Sequence, residues 1–471
     1  MPLTSPRNIW YSTISKKQHL IALSPCHEKE RMNGISEDQK PITLFSATII
    51  VVANMIGTGV FTTLGLQVAS LHTAFPTLML WVVGGVGAFC GALCYGELGA
   101  MMPRSGGEYI YLSNIYHPAV GFLSGWVSMV AGFAAPVALA AIALGEYAGA
   151  VFPGTDKMVL ALTAIVLLSL VHLVDVRFGC HFQNVFTMGK VLLIFSFIIS
   201  GFFVPNPQRI DLLPSGDDLR SVFSPDFATS LVYVSYAYSG WNASAYIAGE
   251  ISKPEKNLPL SLFLGASFVS VCYLLINYVF LYTVPISELS GKIDVGYLSA
   301  KSIFGVRGST AMTLLICLAL LSSLSSMVMV GPRVTQVMGE DLTALRVFAR
   351  RNARGAPVRA IVLQSSIALF LVVTSTFEVV LTYVGFLLAL FALMTVLGVF
   401  VMRVKEPHAK RPFKTWGYPV TPAIFLLLNG WMLCYLVIER PLPSLGGLIT
   451  VACGLLFHRL FATRQFTKTG G

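Results

Sequence analysis

Two apolar stretches of this chain, each about as long as a bilayer is thick, are interrupted by glycine near their centres. The first contains Gly57-Thr58-Gly59 and the second Ser239-Gly240-Trp241-Asn242. Inside a bilayer every backbone N–H and C=O must be hydrogen-bonded, so a spanning helix breaks only where protein, water or ligand binds the freed groups. Two such breaks, five spans apart, are the sequence pattern of inverted repeats that meet at a mid-membrane binding site.

The composition is that of an integral membrane protein. Of the 471 residues, 55% are hydrophobic and only 11% are charged, whereas soluble domains carry about 25% charged residues. A spanning helix needs roughly 20 apolar residues, and the sequence predicts twelve spans. They cover residues 42–68, 74–101, 118–152, 158–175, 184–204, 226–249, 258–285, 308–332, 358–375, 378–402, 418–438 and 443–461.

The distribution of basic residues predicts the orientation. Of the 32 Lys and Arg residues, 24 lie on the side of the two termini, 7 lie on the opposite side, and Lys190 lies within a span. Because cytoplasmic loops carry the excess of Lys and Arg, both termini are predicted in the cytoplasm. The net charge of +10 therefore needs no nucleic acid as a partner.

The two ends of the chain are predicted to be cytoplasmic tails. Residues 1–41 are polar and irregular, with neither a signal peptide nor an anchor, and their composition indicates disorder. Residues 462–471 form the second tail. Met32 is an alternative start of the protein.

The sequence lacks the residue patterns of a metal site or an enzyme. Cys90 and Cys94 lie one helical turn apart, but no further Cys or His accompanies them, so they are interpreted as packing residues. No predicted external loop contains a cysteine, and no disulfide is expected. Paired carboxylates within spans and the charged rings of a channel are also missing. We expect no metal and no cofactor.

The first break suits a carboxylate. Its glycines remove the side chains that would keep a ligand from the backbone, and the helix beyond it presents unpaired N–H groups and a positive dipole end. The alternative interpretation of Gly57 and Gly59 is close packing between helices.

The second break suits an ammonium group. Freed carbonyls can accept from an ammonium, and the aromatic rings of Tyr236, Tyr238 and Trp241 can cover a bound ligand. Together the two breaks describe a site for an α-amino acid. An aromatic belt at the membrane interface is the alternative for the rings.

Lys190 lies within the fifth span, near its start, and an ionisable residue within a membrane indicates function. Its alternative is snorkelling to the inner interface. If buried, its ammonium could pair with carbonyls of the first break and with serine hydroxyls of the eighth span.

Acidic residues bear on the charge of the substrate. Glu97 and Glu146 are predicted near span ends, and no acidic residue is predicted at the depth of the two breaks. This favours a neutral substrate, whereas an acidic residue in the pocket would favour a polyamine or a cationic amino acid.

These features resemble the amino acid-polyamine-organocation superfamily, and within it the permeases related to the light chains of heteromeric amino acid transporters. The resemblance covers residues 42–461. Its motifs are Gly57-Thr58-Gly59-Val60-Phe61, Tyr95-Gly96-Glu97-Leu98-Gly99, Pro103-Arg104-Ser105-Gly106-Gly107, Ser239-Gly240-Trp241-Asn242, Gly249-Glu250, Lys253-Pro254-Glu255-Lys256-Asn257-Leu258-Pro259 and Gly331-Pro332-Arg333.

The resemblance implies an all-α membrane protein of LeuT-type fold. Five spans and five inverted spans, with helices 1 and 6 discontinuous, would form a core at 42–404, and two peripheral helices would follow at 405–461. The implied activity is sodium-independent transport of small or neutral L-amino acids, by exchange or by proton symport. A polyamine or cationic amino acid carrier is the alternative, and a membrane-embedded enzyme is disfavoured.

The resemblance also implies roles for particular residues. Tyr236 corresponds to an aromatic gate, and Lys190 matches a fifth-span lysine that stands where related transporters hold a coupling sodium, with Ser323 as its partner. The residues expected to bind substrate are Ile56, Gly57, Thr58, Gly59, Tyr236, Ser239, Gly240, Trp241 and Asn242.

One departure from the resemblance concerns partners. Eukaryotic light chains carry a cysteine between the third and fourth spans for linkage to a glycoprotein, whereas residues 152–157 contain none. We therefore expect no disulfide-linked heavy chain, and a stand-alone, bacterial-type permease of the inner or plasma membrane. Its expected partners are its amino acid substrate and membrane lipid, in a monomer or weak homo-oligomer.

Overall fold

The computed structural model describes residues 42–174, 176–352 and 355–462. The predicted amino-terminal tail, the alternative start at Met32 and all but the first residue of the carboxy-terminal tail lie outside them. Within the described residues the protein is helical and contains no β-strand. A single parallel bridge joins Ile42 to Ile251.

Helices follow one another closely along the chain. Those of the amino-terminal half are α1 (Leu44–Met55), α2 (Gly59–Thr62), α3 (Leu64–Leu71), α4 (Ala74–Met101), α5 (Glu108–Ile115), α6 (Pro118–Val127), α7 (Ala134–Val151), α8 (Lys157–Val174), α9 (Val176–Gly201), α10 (Gly216–Val222) and α11 (Pro225–Ala237). The remaining ones are α12 (Ala243–Tyr246), α13 (Pro254–Thr283), α14 (Ile286–Leu289), α15 (Val295–Asp341), α16 (Val358–Thr374), α17 (Phe377–Lys405), α18 (Val420–Glu439) and α19 (Pro441–Phe457).

Eight helical segments of the described chain are long and apolar enough to cross a membrane. They are Leu44–Thr62, Ala74–Met101, Pro118–Val151, Pro254–Thr283, Val295–Glu340, Phe377–Lys405, Val420–Glu439 and Pro441–Phe461. Shorter apolar helices cover Lys157–Leu173, Met188–Gly201 and Val358–Thr374. Each of these segments overlaps a predicted span. The sixth predicted span differs, because α11 and α12 divide it into two short pieces.

Side-chain caps explain where several of these helices begin. Thr43 Oγ1 accepts from the backbone N–H of Ser46 at the start of α1. Ser224 caps α11, and Pro225 at its first position is pre-shaped for a helix that needs no N–H there. Thr376 caps α17 in the same way, only two residues after α16 ends. A two-residue turn therefore joins α16 to α17.

Two long spans are interrupted. In the third span a π-helical turn at Ser128–Gly132 separates α6 from α7, and such turns inside α-helices frequently mark functional sites. In α15, Gly305 has a φ of 67°, so the helix bends there. The eighth span, predicted at 308–332, thus belongs to a longer helix that begins before this bend.

The spans pack into two groups that face each other. In the first group, α13 lies along α4 and α1, and α12 packs on α1. In the second group, α15 lies along α7 and α9, and α8 packs on α7. The two broken spans belong to the first group, so any site at the breaks is closed by the second.

Glu97, near the end of α4, joins that helix to the far end of the chain. Its carboxylate is 1% exposed and accepts two hydrogen bonds from Arg403, at 3.0 and 2.7 Å. The backbone N–H of Thr415 donates to it at 2.7 Å, and Arg411 lies 3.5 Å away. This contact pattern gives Glu97 a structural role at the end of its helix.

We expect Glu97→Gln to lower the free energy of unfolding by about 3 kcal/mol, because it leaves the charge of Arg403 without its buried partner. Thermal unfolding of the purified protein in detergent measures the change. Glu288→Gln, at an exposed position, is the matched control. Equal melting temperatures of the two variants would contradict the role given to Glu97.

Candidate functional site

A cavity of about 250 Å³ lies between the two groups of helices. It is smaller than the roughly 300 to 1,000 Å³ of pockets for drug-sized ligands, so it suits a small molecule. Every residue predicted from the sequence to bind substrate or to couple transport lines it: Ile56, Gly57, Thr58, Gly59, Lys190, Tyr236, Ser239, Gly240, Trp241, Asn242 and Ser323.

The first break lies between the end of α1 at Met55 and the start of α2 at Gly59. The freed carbonyl of Met55 accepts from the backbone N–H of Gly57 at 2.8 Å and from Tyr273 Oη at 2.6 Å. Gly59 begins a helix, so its N–H and that of Val60 have no acceptor within that helix. The carbonyl of Met55 is therefore paired by protein, whereas the N–H groups that begin α2 can bind a ligand.

The second break separates α11, which ends at Ala237, from α12. Gly240 has a φ of 97°, a backbone conformation that L side chains rarely adopt. A Cβ atom on Gly240 would lie 2.8 Å from the backbone carbonyl carbon of Asn54, at the end of α1. Gly240 is thus required by its backbone conformation and by its approach to the first broken span.

The two glycines of the first break have different functions. A Cβ atom on Gly59 would lie 2.5 Å from the Cα atom of Ala237, so Gly59 allows the two broken spans to touch. On Gly57 the nearest atom would be 3.8 Å away, and this glycine lines the cavity. Close helix packing, the alternative interpretation of these glycines, accounts for Gly59 and not for Gly57.

Aromatic side chains cover the cavity from the second broken span. Tyr236 is buried, and its Oη lies 3.4 Å from Thr58 Oγ1, which links the two breaks. The ring of Trp241 meets Tyr95 edge-on with 4.7 Å between centroids, and Phe425 at 6.2 Å. These rings lie in the core of the bundle rather than in an interfacial belt.

Lys190 lies on α9 and is 3% exposed, so its side chain does not snorkel to the interface. Its Nζ donates to Ser323 Oγ at 2.8 Å, and this hydroxyl donates to the carbonyl of Ala319 at 3.2 Å. The contact joins α9 to α15 at the cavity wall. Within the described part of the chain, no hydrogen bond joins Lys190 to the carbonyls of the first break.

An acidic side chain lines the cavity, and the prediction that none lies at this depth is wrong. Glu97 pairs with Arg403, and Glu146 forms an ion pair with Lys157 at an N–O distance of 2.5 Å. Neither carboxylate lines the cavity. Glu108, the first residue of α5, is 8% exposed and faces the cavity. Its Oε1 accepts from Tyr95 Oη at 2.6 Å and from Asn242 Nδ2 at 3.2 Å.

Glu108 is preceded by two glycines that could have indicated it in the sequence. It follows Gly106 and Gly107, whose φ angles of 132° and 52° form a tight turn, and it begins a helix between the second and third spans. Burial raises the pKa of its carboxyl to about 7. A carboxylate in the first turn of a helix suits the dipole there, but α5 lies between the second and third predicted spans, where no helix is predicted from the sequence.

The amino-acid sequence is similar to those of known transporters. The sequence profile of the amino acid permease family matches residues 42–457. This chain belongs to that family. The b(0,+)-type amino acid transporter 1 of Homo sapiens is 29% identical over 441 residues, covering 91% of the permease and 89% of the relative. The large neutral amino acids transporter small subunit 2 of Mus musculus is 28% identical over 442 residues, covering 92% and 83%. The permease is accordingly an amino acid transporter and not an enzyme.

Other residues that line the cavity were missed by the sequence analysis. They lie outside the two glycine-containing break sequences and include Asn54, Phe133, Ser326, Phe425 and Asn429. Phe133 directly follows the π-helical turn of the third span. No periodicity in the sequence distinguishes these positions from others on the same helices, because only the packing of the groups brings them to the cavity.

We expect Gly59→Ala and Gly57→Ala to differ in stability. The first places a methyl group 2.5 Å from the backbone of Ala237, and overpacking of this kind costs about 1 to 3 kcal/mol. The second has room for its methyl group and leaves the melting temperature in detergent unchanged. Equal melting temperatures for the two variants would show that the broken spans do not touch at Gly59.

Proposed function

We propose that the permease is a secondary active transporter for small or neutral L-amino acids that works by alternating access. The observation that carries the proposal is the cavity lined by both broken spans. The free N–H groups that follow the first break suit the substrate carboxylate. The polar groups of the second break suit its ammonium, and the names of the two relatives describe amino acid transporters.

The size and lining of the cavity support a small substrate. Gly57 and Gly59 leave the backbone open to the ligand, while Tyr236 and Trp241 can cover it. A polyamine or cationic amino acid is a second candidate substrate, because Glu108 lines the cavity. We favour the neutral substrate, since Oε1 of Glu108 is already bound to Tyr95 and Asn242.

Lys190 is our candidate for the coupling residue, with Ser323 as its partner. If this ammonium stands where related transporters hold a coupling sodium, as the resemblance implies, transport would not need sodium. An ammonium held between α9 and α15 can respond to their separation, because its hydrogen bond to Ser323 spans the two helices. Exchange and proton symport are the two modes compatible with such a group.

The arrangement in the membrane is part of the same proposal. We propose a LeuT-type fold with spans 1–10 in a core at residues 42–404 and two peripheral helices at 405–461. Both termini would lie in the cytoplasm, given the excess of basic residues on that side. We also propose a stand-alone, bacterial-type permease of the inner or plasma membrane without a disulfide-linked heavy chain.

Uptake into proteoliposomes tests the substrate and the coupling together. We expect uptake of radiolabelled neutral L-amino acids, but not of polyamines, and no loss when choline replaces sodium. Vesicles are used empty, loaded with unlabelled amino acid, or with acid outside. Uptake only into loaded vesicles indicates exchange, and stimulation by external acid indicates proton symport. Transport of polyamines alone would overturn the proposal.

We expect Lys190→Ala to reduce net uptake at least about 10-fold while the protein stays folded in the membrane, because the hydrogen bond between α9 and α15 is lost and such charge-assisted bonds contribute about 1.5 to 3 kcal/mol. Ser323→Ala should reduce uptake in the same direction. Lys301→Ala removes an exposed lysine and serves as the control. Uptake by Lys190→Ala at the rate of this control would exclude Lys190 from the mechanism.

A further inference from the structure

Glu108 connects α5 to α4 and to the second break. It begins α5, its Oε1 binds the hydroxyl of Tyr95 on α4, and the same oxygen binds the amide of Asn242 at the second break. Its Oε2 makes no hydrogen bond with any described residue. Transport as proposed above assigns no function to this carboxylate.

Among the described residues, no Lys, Arg or His forms an ion pair with Glu108, whose interactions are with Tyr95 and Asn242. The titratable groups that face it are Tyr95 from α4, Tyr246 from α12 and Tyr111 from α5 itself. Tyrosine ordinarily titrates near 10, so these hydroxyls are neutral around pH 7. A buried carboxylate without a cation is costly unless hydrogen bonds satisfy it. The hydrogen bonds from Tyr95 and Asn242 are therefore the interactions that keep Glu108 charged.

An ionised carboxylate fixes the orientation of the Asn242 amide. A carboxylate accepts hydrogen bonds and donates none, whereas an amide has one donor end and one acceptor end. Asn242 must therefore turn Nδ2 towards Glu108 and Oδ1 away from it. Tyr246 also makes a side-chain hydrogen bond with Asn242, and both residues line the cavity. Because an amide oxygen accepts two hydrogen bonds, Oδ1 retains an acceptor site for a ligand that carries N–H groups.

We propose that Glu108 is a positioning residue for substrate: its carboxylate holds the amide of Asn242 so that Oδ1 accepts a hydrogen bond from the α-ammonium group of the amino acid. The inference rests on the proposed amino acid site and adds a specific ammonium acceptor to it. Glu108 acts through Asn242 and does not itself contact the substrate.

Protonation of Glu108 would remove this constraint. The neutral carboxyl gains an O–H donor that can bind Oδ1 of Asn242 and turn the amide around. Burial raises the pKa of Glu108 to about 7, so the ionised form predominates above that pH. Affinity for the amino acid should therefore be full above pH 7 and should fall as the pH decreases through this value.

Equilibrium binding of tritiated L-alanine, L-leucine and L-glutamine to the purified full-length permease tests the inference between pH 5.5 and 8.5. At pH 8 we expect Glu108→Gln to bind at least about 10-fold more weakly than the wild type, since a Gln side chain can present its own N–H₂ to Asn242. We also expect its affinity to be independent of pH. Asn242→Ala should lose affinity similarly, and the double variant should lose no more than either single one.

Tyr111→Phe is the matched control. Tyr111 lies on the same helix, its hydroxyl is buried without a hydrogen-bond partner in the described chain, and it does not line the cavity. Its removal should leave both the affinity and the pH profile unchanged. A merely structural role for α5 would lower the melting temperature of Glu108→Gln without changing the pH dependence of binding.

The outcomes separate this inference from the proposed function. If the wild type binds none of the three amino acids, the proposed function fails. If the wild type binds and Glu108→Gln keeps its affinity and pH profile, the positioning role is overturned. Should Glu108→Gln fail to fold, the pH profile of Asn242→Ala decides instead, because a profile like that of the wild type contradicts an effect that acts through Asn242.

Discussion

The need to pair every backbone polar group in apolar surroundings governs the rest of this structure. Breaking a spanning helix frees carbonyl and N–H groups, and each one left unpaired in lipid costs several kcal/mol. Here tyrosines from other spans bind the freed carbonyls: Tyr273 Oη donates to Met55 at 2.6 Å, and Tyr147 Oη donates to Phe61 at 2.5 Å. Because Tyr273 and Tyr147 come from opposite helix groups, the broken span is held between both.

Close contact between the two broken spans explains why the cavity is small. The two broken spans touch at Gly59 and Gly240, where any side chain would meet the backbone of the other span. Contact at these points leaves a limited space beside Gly57. Because Gly57 has no side chain, its backbone is exposed to the cavity. Glycine thus closes the packing at two positions and exposes the backbone at a third.

Short-range sequence patterns predicted those features that depend on neighbouring residues in the chain. Runs of apolar residues located the spans, and glycine within those runs located both breaks. Lys190 was recognised because a lysine in a span is conspicuous. Glu108 was missed because its burial depends on its contacts with Tyr95 and Asn242, which no short-range pattern records. The partner of Glu97 was missed for the same reason, since Arg403 is 306 residues away in sequence.

A basic and an acidic side chain, Lys190 and Glu108, line the cavity. Lys190 donates to the hydroxyl of Ser323, and Glu108 accepts from Tyr95 and Asn242. Neither forms an ion pair with another described residue. With Lys190 protonated and Glu108 ionised, the lining carries no net charge. A zwitterionic amino acid also carries none. Its entry therefore adds no net charge to an interior where isolated charge is costly, whereas a polyamine would add several.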